Sequence, residues 1–105
     1  MMRRPDTATL LARALAASAT LHGLNVAVEE RGARRWHSAT FSGQKHALTL
    51  TALPGGTDAK AWLAGLCKMD VRLPGELLAG ISIIEEGECA GGCRAEVEAL
   101  TVELA

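Results

Sequence analysis

From Leu24 the chain switches to a period of two, with Leu24, Val26 and Val28 alternating against Asn25, Ala27 and Glu29. That is the pattern of a strand with one buried face. Two glycine dipeptides, Gly32-Ala33 and Gly43-Gln44, fall where hairpin turns would return the chain. A turn at the first sets Glu30 opposite Arg35, Val28 opposite His37, Val26 opposite Ala39 and Leu24 opposite Phe41. A turn at the second sets Phe41 opposite His46, Ala39 opposite Leu48 and His37 opposite Leu50. Both registers put the same residues on the same face, and a one-residue slip in either would turn an apolar set to solvent. The sequence therefore predicts a three-stranded antiparallel meander over about 24–52.

Helical periods flank this region. Asp6 is suited to cap a helix over about 7–20 whose stripe is Leu10, Leu11, Ala14, Leu15, Ser18 and Leu21, with His22-Gly23 as its stop. Leu53-Pro54-Gly55-Gly56 reads as loop, and Thr57 or Asp58 as the cap of a second helix over about 58–68. Ala59, Trp62, Leu63, Leu66 and Cys67 form its stripe, and Gly65 weakens it by about 1 kcal/mol relative to Ala. After Leu73-Pro74-Gly75, apolar residues of both parities predict a strand over about 77–85 covered on both faces. Residues 87–92 read as loop. A last strand over 94–104 changes parity, which predicts a β-bulge near Ala99.

The expected fold is a single α+β domain, residues 1–105. It is a two-layer sandwich with an antiparallel sheet of about five strands, in the order α-β-β-β-α-β-β, and both helices on one face. A faint internal echo relates Val26-Ala27-Val28-Glu29-Glu30-Arg31-Gly32 to Ile81-Ser82-Ile83-Ile84-Glu85-Glu86-Gly87. The element order is similar to that of the small secretion chaperones that pair with effector proteins, without the terminal helix those chaperones carry. That resemblance implies a partner-binding module.

With 105 residues, 49% apolar and 22% charged, the chain can close one core and lies outside the disordered regime. Its only aromatic residues are Trp36, Phe41 and Trp62, so the core is built from aliphatic residues and much alanine. Each alanine buries little area, at roughly 25 cal/mol per Å². Modest stability of an isolated copy is expected, and with it self-association. Residues 1–60 carry eight Lys/Arg and four Asp/Glu, and residues 61–105 carry three and eight. Such a division suits a bipolar surface that docks on itself. Met1-Met2-Arg3-Arg4 and the apolar residues after Pro5-Asp6 look superficially like a leader, but Arg13 interrupts the apolar run and export is not expected. No run reaches the length of a membrane span, and three cysteines, an odd number, point to the reducing cytoplasm.

Four groups of residues could carry function. Cys89 and Cys93 bracket a glycine-rich loop, but their spacing is not that of a zinc knuckle and no second pair follows; they read as reduced thiols, and no metal or cofactor is expected. Cys67 reads as a buried core residue. His37 and His46 fall on the inner face of the meander and could line a pocket for a small ligand, but no nucleophile stands beside either, so no catalytic residue is assigned. Arg31, Arg34, Arg35 and Trp36 form the most distinctive surface feature. Arginine and tryptophan are favoured at protein interfaces. They also suit phosphate contact with base stacking, although Glu29 and Glu30 offset part of the charge. The expected function is a non-catalytic interaction or assembly module that homodimerises through the Trp36 face and the strand at 81–84. A pocket protein or enzyme using His37 and His46, and a weak nucleic-acid binder using the arginines, are the alternatives.

Overall fold

The computed structural model describes residues 6–104; Met1-Met2-Arg3-Arg4-Pro5, on which the leader-like reading rests, lie outside the described residues. Helix α1, Thr7–Leu21, starts at Asp6, whose carboxylate accepts the Thr9 amide at 2.8 Å. It buries Leu11, Leu15 and Ala19, and the chain leaves it through Gly23 at φ 73°, a conformation open to glycine at little cost.

Strands β1, Asn25–His37, and β2, Ser42–Leu53, form one long hairpin, so the expected three-stranded meander is corrected to two strands. The return is made over residues 38–41, where the Ser38 amide donates to the Phe41 carbonyl at 2.7 Å and the Phe41 amide to Ser38 Oγ at 3.0 Å. Phe41, expected inside, is exposed in this turn. Both glycines that suggested turns have other uses. Gly32, at φ 149°, sits at a bulge that leaves Arg31 unmatched between Glu30↔Leu48 and Gly32↔Ala47. Gly43 lies inside β2, where a Cβ would collide with the Thr101 carbonyl of the neighbouring strand. The bulge inverts the alternation as a two-residue turn would. Val26, Val28, His46, Leu48 and Leu50 therefore share a face as expected although the pairing differs.

Helix α2, Thr57–Gly65, continues into a 3₁₀ turn, Leu66–Lys68. Its N-cap is Gly56, with no side-chain cap bond, rather than Thr57 or Asp58. Ala59, Trp62, Leu63 and Leu66 are buried, but Cys67 is exposed because the tighter 3₁₀ winding carries it off the apolar stripe. Three strands follow: β3, Arg72–Leu73; β4, Glu76–Cys89; and β5, Gly92–Glu103. The expected loop at 87–92 shrinks to a turn at Ala90-Gly91. Register shifts in β4 between Leu78 and Gly80 and between Ile83 and Glu85 account for its apolar residues of both parities. The strand is not covered on both faces, since Ile83 and Ile84 are exposed. The bulge expected near Ala99 is absent; β5 runs regularly, with Cys93, Ala95, Val97, Ala99 and Thr101 buried and the intervening residues toward the open face.

The sheet order is β1-β2-β5-β4-β3, antiparallel throughout. The fold is α+β with five antiparallel strands, in the order α-β-β-α-β-β-β rather than with three strands between the helices. The similarity to secretion chaperones rested on that meander and goes with it. Both helices contribute to one buried cluster with the inner side of β2 and β5, and Trp62 Nε1 donates to Ser18 Oγ at 3.1 Å between them. Each fully buried leucine in that cluster contributes about 1.5–3 kcal/mol. Among the described residues the opposite face of the sheet carries no helix.

Candidate functional site

The β1–β2 hairpin projects Arg34 and Trp36 onto the open face and Arg35 onto the helix side, as alternation from the buried His46 dictates. The Trp36 indole is half-buried: it lies across Gly43 and its Nε1 donates to the Thr101 carbonyl at 3.2 Å, bracing β1 against β5 over the intervening strand. Arg35 reaches Glu103 at 2.8 Å, and Ser42 Oγ donates to the other Glu103 oxygen at 2.9 Å. The Ser42 bond, then that of Arg35, holds the Glu103 carboxyl below the usual carboxylate range. Arg31 pairs with Glu29 at 3.0 Å. Among the described residues Arg34 has no ion pair. The four residues singled out in the sequence thus share one strand without forming one patch.

The β4–β5 hairpin projects from the opposite end of the sheet. Strand β3 pairs with β4 only at Leu77 and Glu76, and the Leu78 amide donates to the Val71 carbonyl at 3.0 Å. Beyond that, residues 79–89 have no neighbouring strand on their outer edge among the described residues. Along it stand Ile83, Ile84, Glu85, Glu86 and Glu88, and none of the three glutamates has an ion pair among the described residues. Ile84, at a bulge, shares a shallow depression on the open face with Arg31, Thr49 and Glu96. The free edge escaped the sequence reading because the missing neighbour is a tertiary fact, although Glu85-Glu86-Gly87-Glu88 after two isoleucines was a usable signal.

His37 and His46 are not brought together. His37 ends β1 and is exposed, whereas His46 is fully buried. Thr101 Oγ1 donates to the Gln44 carbonyl at 3.3 Å, so it accepts from His46 Nε2 at 3.3 Å and the imidazole is the Nε2–H tautomer, its Nδ1 unpartnered. Burial lowers the His46 pKa against the opposing pull of Glu76, Asp6 and Glu30. Glu76, itself buried, accepts from Thr7 Oγ1 with one oxygen and has no partner for the other. A cleft of about 550 Å³ opens between the start of α1, the inner side of the first hairpin and Pro74, lined by Asp6, Thr7, Glu30, Gln44 and Leu48 among others. Cys67, on the outside of its 3₁₀ turn, does not line it. Cys89 and Cys93 are free thiols on opposite faces of β4–β5, since Cys93 is opposite Glu88 and Cys89 opposite Gly92.

Among the described residues no helix is long and apolar enough to cross a membrane. Comparison with protein-family models, with curated proteins and with solved structures finds no match.

Proposed function

We propose that the protein is a non-catalytic interaction module whose partner is a second copy of itself, held through the outer edge of β4. One observation carries this reading: residues 79–89 of β4 offer unpaired backbone beside two exposed isoleucines, Ile83 and Ile84. A strand edge of this length is a template for a further strand, with backbone hydrogen bonds supplying affinity and side chains supplying selectivity. The three free thiols support a reducing, cytoplasmic setting. Light scattering of the reduced protein over a concentration series tests the reading. Mass above the monomer that falls in Ile84→Lys supports it; a monomer at every concentration defeats it.

A second reading, a small-ligand binder, is favoured by the cleft of about 550 Å³ at the start of α1, whose wall includes Thr7, the hydrogen-bond partner of the buried Glu76. Asp6 and Glu30 on its wall suit a small organic cation. A rise in melting temperature with methylammonium or a short diamine, lost in Glu30→Gln, supports this reading. Absence of any shift in the wild type argues against it.

A further inference from the structure

The two free edges of the sheet differ in charge. Residues 31–46, the outer half of the first hairpin, contain Arg31, Arg34, Arg35 and Lys45 and no Asp or Glu. Residues 82–98, the outer half of the second, contain Glu85, Glu86, Glu88, Glu96 and Glu98 against Arg94 alone. The edge strand of the first hairpin is β1, and that of the second is β4 beyond its contact with β3. The first edge thus carries one cation, Arg34, without an ion pair among the described residues, since Arg31, Arg35 and Lys45 pair with Glu29, Glu103 and Glu98. The second edge, on the other side of the sheet, carries Glu85, Glu86 and Glu88 without one.

We infer that the copies associate head to tail, the β4 edge of one protomer pairing with the β1 edge of the next. This rests on the self-association proposed above and specifies its geometry. One feature, the charge of the two edges, favours it over a two-fold contact of β4 with β4, and the strand directions and the place of β3 permit it. In two copies that continue one sheet in the same orientation, β4 meets β1 antiparallel, because within one protomer β1 runs antiparallel to β2, β2 to β5 and β5 to β4, so β1 and β4 point in opposite directions. Strand β3 fills the edge beside Glu76 and Leu77, so an incoming β1 is displaced toward residues 79–89. That stagger brings the charged segments together: a register with Glu85 opposite Arg34 also brings Glu88 level with Arg31, though on the other face, and Ser82 level with His37. Glu85, level with Glu96, and Arg34, level with Lys45, are both on the open face, where directly opposed charges of unlike sign stabilise a strand pair. A β4 to β4 contact would bring two acidic edges together and leave Arg34 without an ionic partner.

Such a contact is heterologous and need not stop at two copies, so mass should climb with concentration rather than level off at a dimer. It should also weaken with salt. Two variants test the geometry: Glu85→Lys with Glu88→Lys reverses the β4 edge, and Arg31→Glu with Arg34→Glu reverses the β1 edge. Each alone is expected to associate at least about tenfold more weakly than the wild type, because like charges then meet across the joint. An equimolar mixture is expected to associate again, since each component retains the edge the other lacks, and recovery on mixing also shows that both are folded. If the arginine variant associates as well as the wild type, or if mixing restores nothing while circular dichroism shows both variants folded, the head-to-tail geometry is overturned and self-association stands. A wild type that is monomeric throughout removes self-association itself.

Discussion

The β1–β2 hairpin comes directly after α1 and the β4–β5 hairpin after α2 and the short β3; each places its second strand at the centre of the sheet, and each bulges in its outer strand. Near the start of each inner strand a glycine abuts the end of the other: Gly43 against Thr101, and Gly92 against Ala52. The tips differ. The first is braced to the sheet by the Trp36 indole and by the Arg35–Glu103 pair. The second has no aromatic residue, and its isoleucines and glutamates meet solvent. One backbone plan thus supports a tied edge and an untied one, and the side chains that cross between strands decide which is which.

The largest effects are expected where the two hairpins meet. Alanine at Gly43 would drive its Cβ into the Thr101 carbonyl, with the Trp36 indole closing the other side at 3.0 Å. Backbone must move to admit it, and overpacking of this kind costs about 1–3 kcal/mol or more. At roughly 4–8 °C per kcal/mol for a domain of this size, Gly43→Ala should melt about 10 °C or more below the wild type. Gly92→Ala meets the Ala52 carbonyl and the Leu53 side chain, which can partly yield, so its loss should be the smaller of the two. Thermal denaturation of both variants ranks them. A change of under about 1 °C in Gly43→Ala would mean that the hairpins do not approach as closely as described.

Those same glycines show where the sequence was legible. Alternation identified the buried face of the first hairpin correctly, because burial acts on parity, and parity survives when a bulge at Arg31 replaces a turn. The turn itself was misplaced, because a glycine at a bulge and a glycine under a neighbouring carbonyl look, in sequence, like glycines in turns. The two-sided apolar pattern of residues 77–85 reads as burial on both faces, whereas bulges within that strand produce it, and the bulge expected in its partner near Ala99 is not there. Among the candidate residues, the position of Trp36 on the outer face could be read from alternation. Its bond to Thr101 could not, since 65 residues separate the partners.

Acid should act first on the inner face of the braced hairpin, which holds the buried His46; the corresponding face of β5 holds cysteine, alanine, valine and threonine. Burial lowers the His46 pKa, so the unfolded chain takes up this proton at a pH where the folded protein does not. Stability is then full above the ordinary value of 6.5 and is lost as pH falls from there toward the lower folded value. Glu103 and Asp6, also with lowered pKa values, lose their contributions further down, in the carboxylate range. Chemical denaturation at stepped pH should show a decline beginning near pH 6.5 that is absent in His46→Gln, while the lower decline remains. A smaller change is expected for Trp36→Phe, which keeps an aromatic plate over Gly43 but removes the bond to Thr101. Its cost is about 0.5–1.5 kcal/mol. Hydrogen exchange should locate that loss at the β1–β2 tip, with the β4–β5 tip unchanged.

The smallest expected effect concerns the helices that precede the two hairpins. Helix α1 has a side-chain cap at Asp6, whereas α2 has none and ends at Gly65. Gly65 has φ −83° and ψ −10°, within reach of any residue, and a Cβ there would meet nothing within 4 Å. Gly65→Ala therefore adds no strain to the folded state and removes freedom from the unfolded chain, a gain of about 0.4–1 kcal/mol. Exchange protection should rise in α2 relative to α1. If overall stability rises while the β4–β5 tip exchanges as before, the looseness of that tip belongs to its unpaired edge and not to the helix that leads into it. If both tighten together, α2 and the second hairpin open as one unit, and the contrast between the tips originates in the helices rather than in Trp36.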